Sequence, residues 1–344
     1  MIRGMFFAMF TGSRLHLSVA KYPRNAKCAV TTSWDDNDIG NMEIAQTLDS
    51  LKLKGTFYID FSDAKDQLSD SQIRTLSEKH EVGSHTWSHP HVRLCDSQTI
   101  RREMLESRKR LEMITGHQVL GLAYPYGHHS RLAEKIAEES GYLFARTTEQ
   151  GHVDFPPPDP YSWGISYYAV KRSGRPKRFL SRQTFSKTAL VYLTNLTSKS
   201  GHLALKLFEK AIVRQGVWHV HGHADELQQA AHRNEFLDIC QTVAGREDVW
   251  YTTNGNLFLN EIVKERVHLS ERQHDDLFHF NVTVVPPRER YLENAPAPLR
   301  LTRPAGWDAD FQIDVKCKHF EMGRSSRHVW IDIFDNEAQI EAAP

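Results

Sequence analysis

Three short segments concentrate side chains that could bind a metal or move a proton. They are Ser33-Trp34-Asp35-Asp36, His85-Thr86-Trp87-Ser88-His89 and His219-Val220-His221-Gly222-His223. Two adjacent carboxylates repel unless something neutralises one of them, and a divalent cation does so. On its own, though, the Asp35-Asp36 pair also reads as a turn capping the helix that starts soon after. Four histidines fall between His80 and His91. His85 and His89 are four apart, so one helical turn would place both imidazoles on one face, a familiar bidentate arrangement for zinc-like ions. Two imidazoles and one carboxylate leave positions open for water. A metal lowers the pKa of such water and polarises a carbonyl, which is hydrolytic chemistry. In the third segment, continued strand would put His219, His221 and His223 on one face. Three imidazoles in an apolar core are costly unless solvated or bonded, so a polar barrel mouth is the more economical setting. A histidine there could act as general acid.

These segments need a scaffold, and the first 265 or so residues supply alternating strand-like and helix-like stretches. Lys27 to Thr32 reads as a strand and Met42 to Lys52 as a helix, with Ile44, Ala45, Leu48 and Leu51 at helical spacing. Thr56 to Ile59 is β-branched and aromatic, hence a strand. Helices are predicted over Ser69–Lys79, from Asp96 or Ser97 to Gly116, and over Arg131–Ser140, with a strand over Gln118–Ala123 between the last two. Val217–His221 and Val249–Thr252 read as strands, Asn234–Ala244 and Asn256–Lys264 as helices. Repeated strand–helix units favour an α/β fold with a parallel sheet, here a distorted (β/α) barrel with its site at the strands' C-terminal ends. The texture changes after about residue 268. Leu277–Val285, Leu299–Thr302, Asp310–Lys316 and His328–Ile333 are strand candidates with no helices between them, a small all-β module. The expected organisation is therefore an extension over 1–26, a barrel over 27–267 and a β-rich module over 268–344.

The chain has 344 residues, and its 43 basic side chains balance 43 acidic ones, so bulk attraction to nucleic acid or an acidic membrane is not expected. No stretch is apolar for the roughly 18 residues that a membrane span needs. Met5 to Phe10 is short for a signal-peptide core and lacks a clear cleavage site, so it reads as a packing segment or loose extension. Cys28, Cys95, Cys240 and Cys317 are far apart with no CxxC, which suits free thiols and a cytoplasmic location. Residues 171–187 hold Lys171, Arg172, Arg175, Lys177, Arg178, Arg182 and Lys187 with no acid. Such a run is a solvated loop face or a landing surface for a phosphate on the substrate.

In their order, these segments resemble the motifs of the polysaccharide deacetylase superfamily, also called the NodB-homology family. Ser33-Trp34-Asp35-Asp36 resembles its Thr-Phe-Asp-Asp-Gly, His85 to His89 its His-Ser/Thr-x-x-His, and Tyr124-Pro125-Tyr126-Gly127 its Arg-x-Pro-Tyr-Gly. Val217 to His223 takes the place of its last motif, a hydrophobic strand ending in histidine. The resemblance covers roughly residues 27 to 260. It implies a NodB-type barrel and a metal-dependent hydrolase that removes an acyl group, usually acetyl, from an N-acylated sugar or sugar conjugate. Carried over, Asp36, His85 and His89 would bind one divalent ion, with zinc first and cobalt, nickel or manganese also accepted. Asp35 would be the base toward metal-bound water, and His223, with His219 next, the acid toward the leaving amine. Tyr126, Pro125 and Arg146 would make up the substrate and oxyanion side.

Four departures stand out. Asn37 replaces the motif's glycine, and Ala123 stands where its arginine is expected, a post that Arg146 could fill. The fourth motif has no clear match. His221 replaces a tryptophan of the subgroup pattern His-x-Trp-Gly-His-Ser-x-Glu-Leu. The rival readings are an amidohydrolase acting on a non-sugar C–N bond and an inactive sugar-binding protein. The C-terminal module could bind carbohydrate, pair into a homo-oligomer or only cover the barrel.

Overall fold

The computed structural model describes residues 15–170, 200–274, 277–284, 297–302, 312–318, 320–324, 328–333 and 337–343. The basic run at 171–187, the apolar segment Met5–Phe10 and Pro286-Pro287 lie outside the described residues. The chain divides into two units, Ala26–Leu259 and the remainder. Strand β1 (His16–Val19) precedes the first of these and belongs to the second.

The barrel unit is built on parallel strands β2 (Cys28–Asp35), β3 (Gly55–Ile59), β4 (Glu81–Ser84), β5 (Gly121–Ala123), β6 (Phe144–Arg146), β7 (Tyr167–Tyr168), β8 (Val217–His223) and β9 (Val249–Tyr251). They run in the order β6-β5-β4-β3-β2-β8-β7, and β9 pairs with the start of β2. A bridge from Arg146 to Trp163, just ahead of β7, brings the two ends of this order together, so the sheet curls into the distorted barrel expected.

Helices α1 (Asn41–Ser50), α2 (Asp70–Ser77), α3 (Ser97–Thr115), α4 (Arg131–Glu139), α5 (Ser200–Arg214), α6 (Ala230–Val243) and α7 (Asn254–Glu265) alternate with the strands. Their ends follow local chemistry. Ser69 and Gln72 form a capping box on α2, and Asp96 and Ser130 accept the third backbone N–H of α3 and α4. Gly116 stops α3 at φ 73°, a conformation that costs glycine little. Helix α6 starts four residues before the predicted start, and α5 and β4 were not anticipated.

Strand alternation sorts β2 by face. Cys28, Val30 and Trp34 join the apolar cluster with Ile44 and Leu48 of α1, whereas Thr31, Ser33 and Asp35 pair with His219, His221 and His223 of β8. The strand runs on to Asp35, beyond its predicted end at Thr32. The cap of α1 is Gly40, with no side-chain bond, so the carboxylate pair is not a helix cap.

The second unit consists of antiparallel strands in two four-stranded sheets. One has the order β1-β12-β15-β14, with β12 (Ala297–Thr302), β14 (Phe320–Arg324) and β15 (His328–Ile333). The other has the order β10-β11-β16-β13, with β10 (Val267–His274), β11 (Leu277–Val284), β13 (Gln312–Lys316) and β16 (Glu337–Ala343). Strands β10, β14 and β16 were not anticipated. Residues 16–19, read from sequence as part of an N-terminal extension, are a strand, because His16–Val19 pair with Leu299–Thr302. Buried Leu17, Leu299, Leu301 and Ile331 explain why the pairing holds. No helix among the described residues is long and apolar enough to cross a membrane.

Candidate active site

The site forms where β2, β4, β5, β6 and β8 end. Asp35 is the last residue of β2, inward-facing and buried. Asp36 then turns at φ 73°, so the two carboxylates separate. Asn37 ties the turn down: its N–H donates to Asp60 Oδ1 and its Oδ1 accepts Leu68 N–H.

His85 and His89 follow β4, but not on a helical turn. Residues 85–91 form a loop in which Thr86 (φ 67°) and His89 (φ 56°) take left-handed backbone conformations. Such conformations are uncommon for non-glycine residues and rarer still for a β-branched one, and they concentrate at functional sites. Buried Glu103 of α3 holds this loop by accepting Trp87 N–H, Ser88 N–H and Ser88 Oγ–H. Both rings still reach Asp36, with Nε2 of His85 and His89 at 3.5 and 3.4 Å from its Oδ1. His85 Nδ1 lies 2.8 Å from Ala123 O. A carbonyl only accepts, so Nδ1 carries the proton and Nε2 offers its lone pair. Burial and the neighbouring His85 lower the His89 pKa, which favours its neutral, ligating form. These three residues thus fit a divalent cation in donor chemistry and spacing.

Asp35 is held differently. Arg146, at the end of β6 and fully buried, donates from Nη2 to both carboxylate oxygens. Burial alone would raise the Asp35 pKa. Arg146, then His221, His85 and His223, more than reverse that and hold it well below the usual carboxylate range. Arg146, grouped from sequence with Tyr126 and Pro125, is fully buried on Asp35 and is not among the residues lining the cleft.

The β8 histidines lie at three depths. His219 does not reach the mouth: it is buried, with Nε2 at 2.8 Å from Ser33 Oγ and its ring stacked on Trp163. His221 is wholly buried, with Nε2 3.8 Å from Asp35 Oδ2. His223 reaches the cleft, with Nε2 3.8 Å from Asp36 Oδ2. Its Nδ1 lies 2.7 Å from Tyr168 OH and 3.4 Å from Glu226 Oε2, and Tyr168 also bonds Glu226. Burial would lower the His223 pKa, but Glu226, Asp35 and Asp36 outweigh it, and the net shift is upward. Tyr168, Glu226 and Glu103 were missed as site residues. Glu226 lay inside the quoted subgroup pattern, whereas nothing local marks Tyr168 or Glu103.

Pro125 is buried, and Tyr126 stands beside His89 at φ 61° with its ring stacked on His91 at 3.8 Å. The cleft, about 210 Å³, is lined by Asp35, Asp36, Asp60, Lys65, His89 and His223 among others.

The family model for polysaccharide deacetylase matches residues 22–145, which carry the Asp pair and both loop histidines. Over these residues the barrel unit resembles the polysaccharide deacetylase superfamily. PgdA of Listeria monocytogenes, a peptidoglycan-N-acetylglucosamine deacetylase, is 29% identical over 125 residues, which is 36% of this chain and 26% of that protein. The chain therefore spans only about a quarter of that relative's length. A Mycobacterium smegmatis structure described as a polysaccharide deacetylase aligns with TM-score 0.53 and 15% identity, covering 70% of this chain and 92% of the other. The structure of Puue allantoinase aligns with TM-score 0.52 and 15% identity over the same shares. At such identity these two likenesses concern the fold alone. The substrate assignment of this barrel therefore has to come from the site.

Proposed function

We propose that the protein is a metal-dependent deacetylase that hydrolyses the N-acyl group, acetyl in the first instance, of an amino sugar or its conjugate. The observation that carries the proposal is the division of labour between adjacent carboxylates. Asp36 faces the Nε2 atoms of His85 and His89, and Asp35 is withdrawn onto Arg146. The family match and the N-acetylglucosamine chemistry in PgdA's name support the substrate class.

Asp36, His85 and His89 would hold the cation. When bound, a divalent ion supplies Lewis acidity to the amide carbonyl and makes water a better nucleophile. Asp35, ionised at neutral pH, takes the proton of the attacking water. Arg146 keeps it aligned and prevents it from becoming a second ligand. The Tyr126 backbone N–H donates to the developing oxyanion. A free amine leaves poorly, so His223 protonates it from Nε2, while Tyr168 and Glu226 hold Nδ1 and favour the protonated ring.

Purified protein supplied with zinc, cobalt, nickel or manganese should release acetate from N-acetylglucosamine oligomers. Ammonia release or ring opening from a panel of non-sugar amides, with no acetate from any sugar, would replace this reading with an amidohydrolase. Tight sugar binding by a metal-free protein without turnover would replace it with a binding protein.

A further inference from the structure

His221 sits among the proposed catalytic groups and has no task in the chemistry above. It lies on β8 between His219 and His223, in register with Ser33 of β2. Its ring is 0% exposed, and neither ring nitrogen has a hydrogen-bond partner among the described residues. An imidazole left so in a dry interior costs free energy unless something facing it repays the loss. What faces it is Asp35 Oδ2, at 3.8 Å from Nε2. The rings of Tyr168 and His223 lie at steep angles to it, with centroids at 5.1 and 5.2 Å, and neither makes a hydrogen bond to it.

A neutral imidazole has one N–H and one lone pair. A lone pair on Nε2 would confront a carboxylate oxygen and be repelled; an N–H there is attracted. The other contacts of Asp35 leave this role open. Arg146 reaches both oxygens from a single nitrogen, Nη2, so the carboxylate can still rotate about the line joining them. His85 Nε2 is 3.6 Å from Oδ2, but that nitrogen carries a lone pair, since the His85 proton is spent on Ala123 O. His221 is the remaining N–H on the Oδ2 side.

We infer that His221 carries its proton on Nε2 and positions Asp35, closing a clamp whose other half is Arg146. It is a positioning residue, because it is sealed from the cleft and acts through Asp35. The inference deepens the function proposed above and rests on Asp35 as the base. A second cation held by Asp35, His221 and His223 would use the same atoms. Against it stand the Arg146 guanidinium, which already neutralises Asp35, and the hydrogen bonds that tie His223 Nδ1 to Tyr168 and Glu226.

Two-bond ¹H–¹⁵N correlation spectra of the metal-free protein, labelled at histidine, read the tautomer directly. The His221 signal is assigned by its loss in His221→Phe or, should that variant not fold, in His221→Gln. A neutral ring with its proton on Nε2 is expected. A proton on Nδ1 overturns the inference, and this readout stands even if no substrate is ever turned over. With an active wild type, His221→Phe should lower kcat by about 10²-fold, the scale of a misplaced catalytic group. KM and a metal content of one ion per chain should stay unchanged, and His221→Gln, which retains an N–H, should recover part of the loss. Wild-type kcat in His221→Phe, equal losses in both variants at equal Tm, or two ions per chain would each overturn it.

Discussion

Arg146 and Asp35, 111 residues apart in the chain, form a buried pair in which one guanidinium nitrogen serves both oxygens of the carboxylate. The pair joins the ends of β6 and β2 across the barrel interior. Its two members are not equivalent in cost. Removing the cation leaves a charged carboxylate in a dry site, a loss of about 3–5 kcal/mol.

Arg146→Ala should therefore lower the urea midpoint strongly and leave only background activity. Removing the stranded charge as well, in Asp35→Ala/Arg146→Ala, should recover stability but not activity. Urea titrations of the two single variants and the double variant test this, and additive losses would show that the two residues do not depend on each other.

The ligand assignment separates from the base assignment. Asp36→Ala, His85→Ala and His89→Ala should each lower bound metal, measured by elemental analysis after dialysis. Asp35→Asn should keep the metal and lose about 10²–10⁴-fold in kcat. Full activity in Asp35→Asn would remove Asp35 from the base role.

Glu103 touches no proposed ligand, yet it fixes the loop that carries two of them. Glu103→Ala should weaken metal affinity by about 10–100-fold, as loss of an outer partner typically does. Metal titration monitored by calorimetry would show it, and unchanged affinity would mean that the loop holds its shape without Glu103.

Much of this was legible in the sequence because it rests on local chemistry. Asp96 and Ser69 cap their helices, Gly116 ends one, and β-branched runs mark β2 and β3. The Asp pair and the histidine spacing pointed to side chains that the fold brings together. What stayed hidden depends on contacts distant in sequence. A spacing of four suits a helical turn and the left-handed loop at residues 85–89 alike, and Glu103, some fifteen residues on, decides between them. Three alternate histidines on β8 share a face, but depth in the barrel assigns them different lives: His219 goes to Ser33, and only His223 reaches the cleft. Tyr168, 55 residues before His223, carries no motif at all.

Glu226 raises the His223 pKa, and in the mechanism proposed above the acid form of His223 is the working one. Activity should therefore fall as pH rises through that pKa. Glu226→Gln removes the charge, lowers the pKa and should move the alkaline limb of kcat/KM to lower pH. A pH profile of the two proteins at saturating metal checks the sign; an unmoved limb would detach Glu226 from the acid.

Asp332, in the β-sheet unit, accepts the Arg24 backbone N–H with both oxygens, at 3.0 and 3.2 Å. Burial lifts its pKa to about 7 despite those bonds. The folded state therefore holds this proton more tightly than the unfolded chain, whose value is near 3.8. The resulting stability is full below the unfolded pKa and is lost as pH rises toward 7. Asp332→Asn should flatten the dependence of Tm on pH across that window, measured by thermal melts at graded pH.

The pairing of β1 with β12 means that the polypeptide leaves the β-sheet unit at Asn25 and re-enters it at Asn260. The barrel sequence is thus an insertion within another folded body, with both ends anchored in it. While that body stays folded, an unfolded barrel is a closed loop rather than a free chain. It has less conformational entropy to gain by unfolding, as though it were cross-linked at its ends. A chain cut after residue 267 would orphan β1 and release this tether. It would be a different folding problem from the intact protein, not the same enzyme minus an accessory.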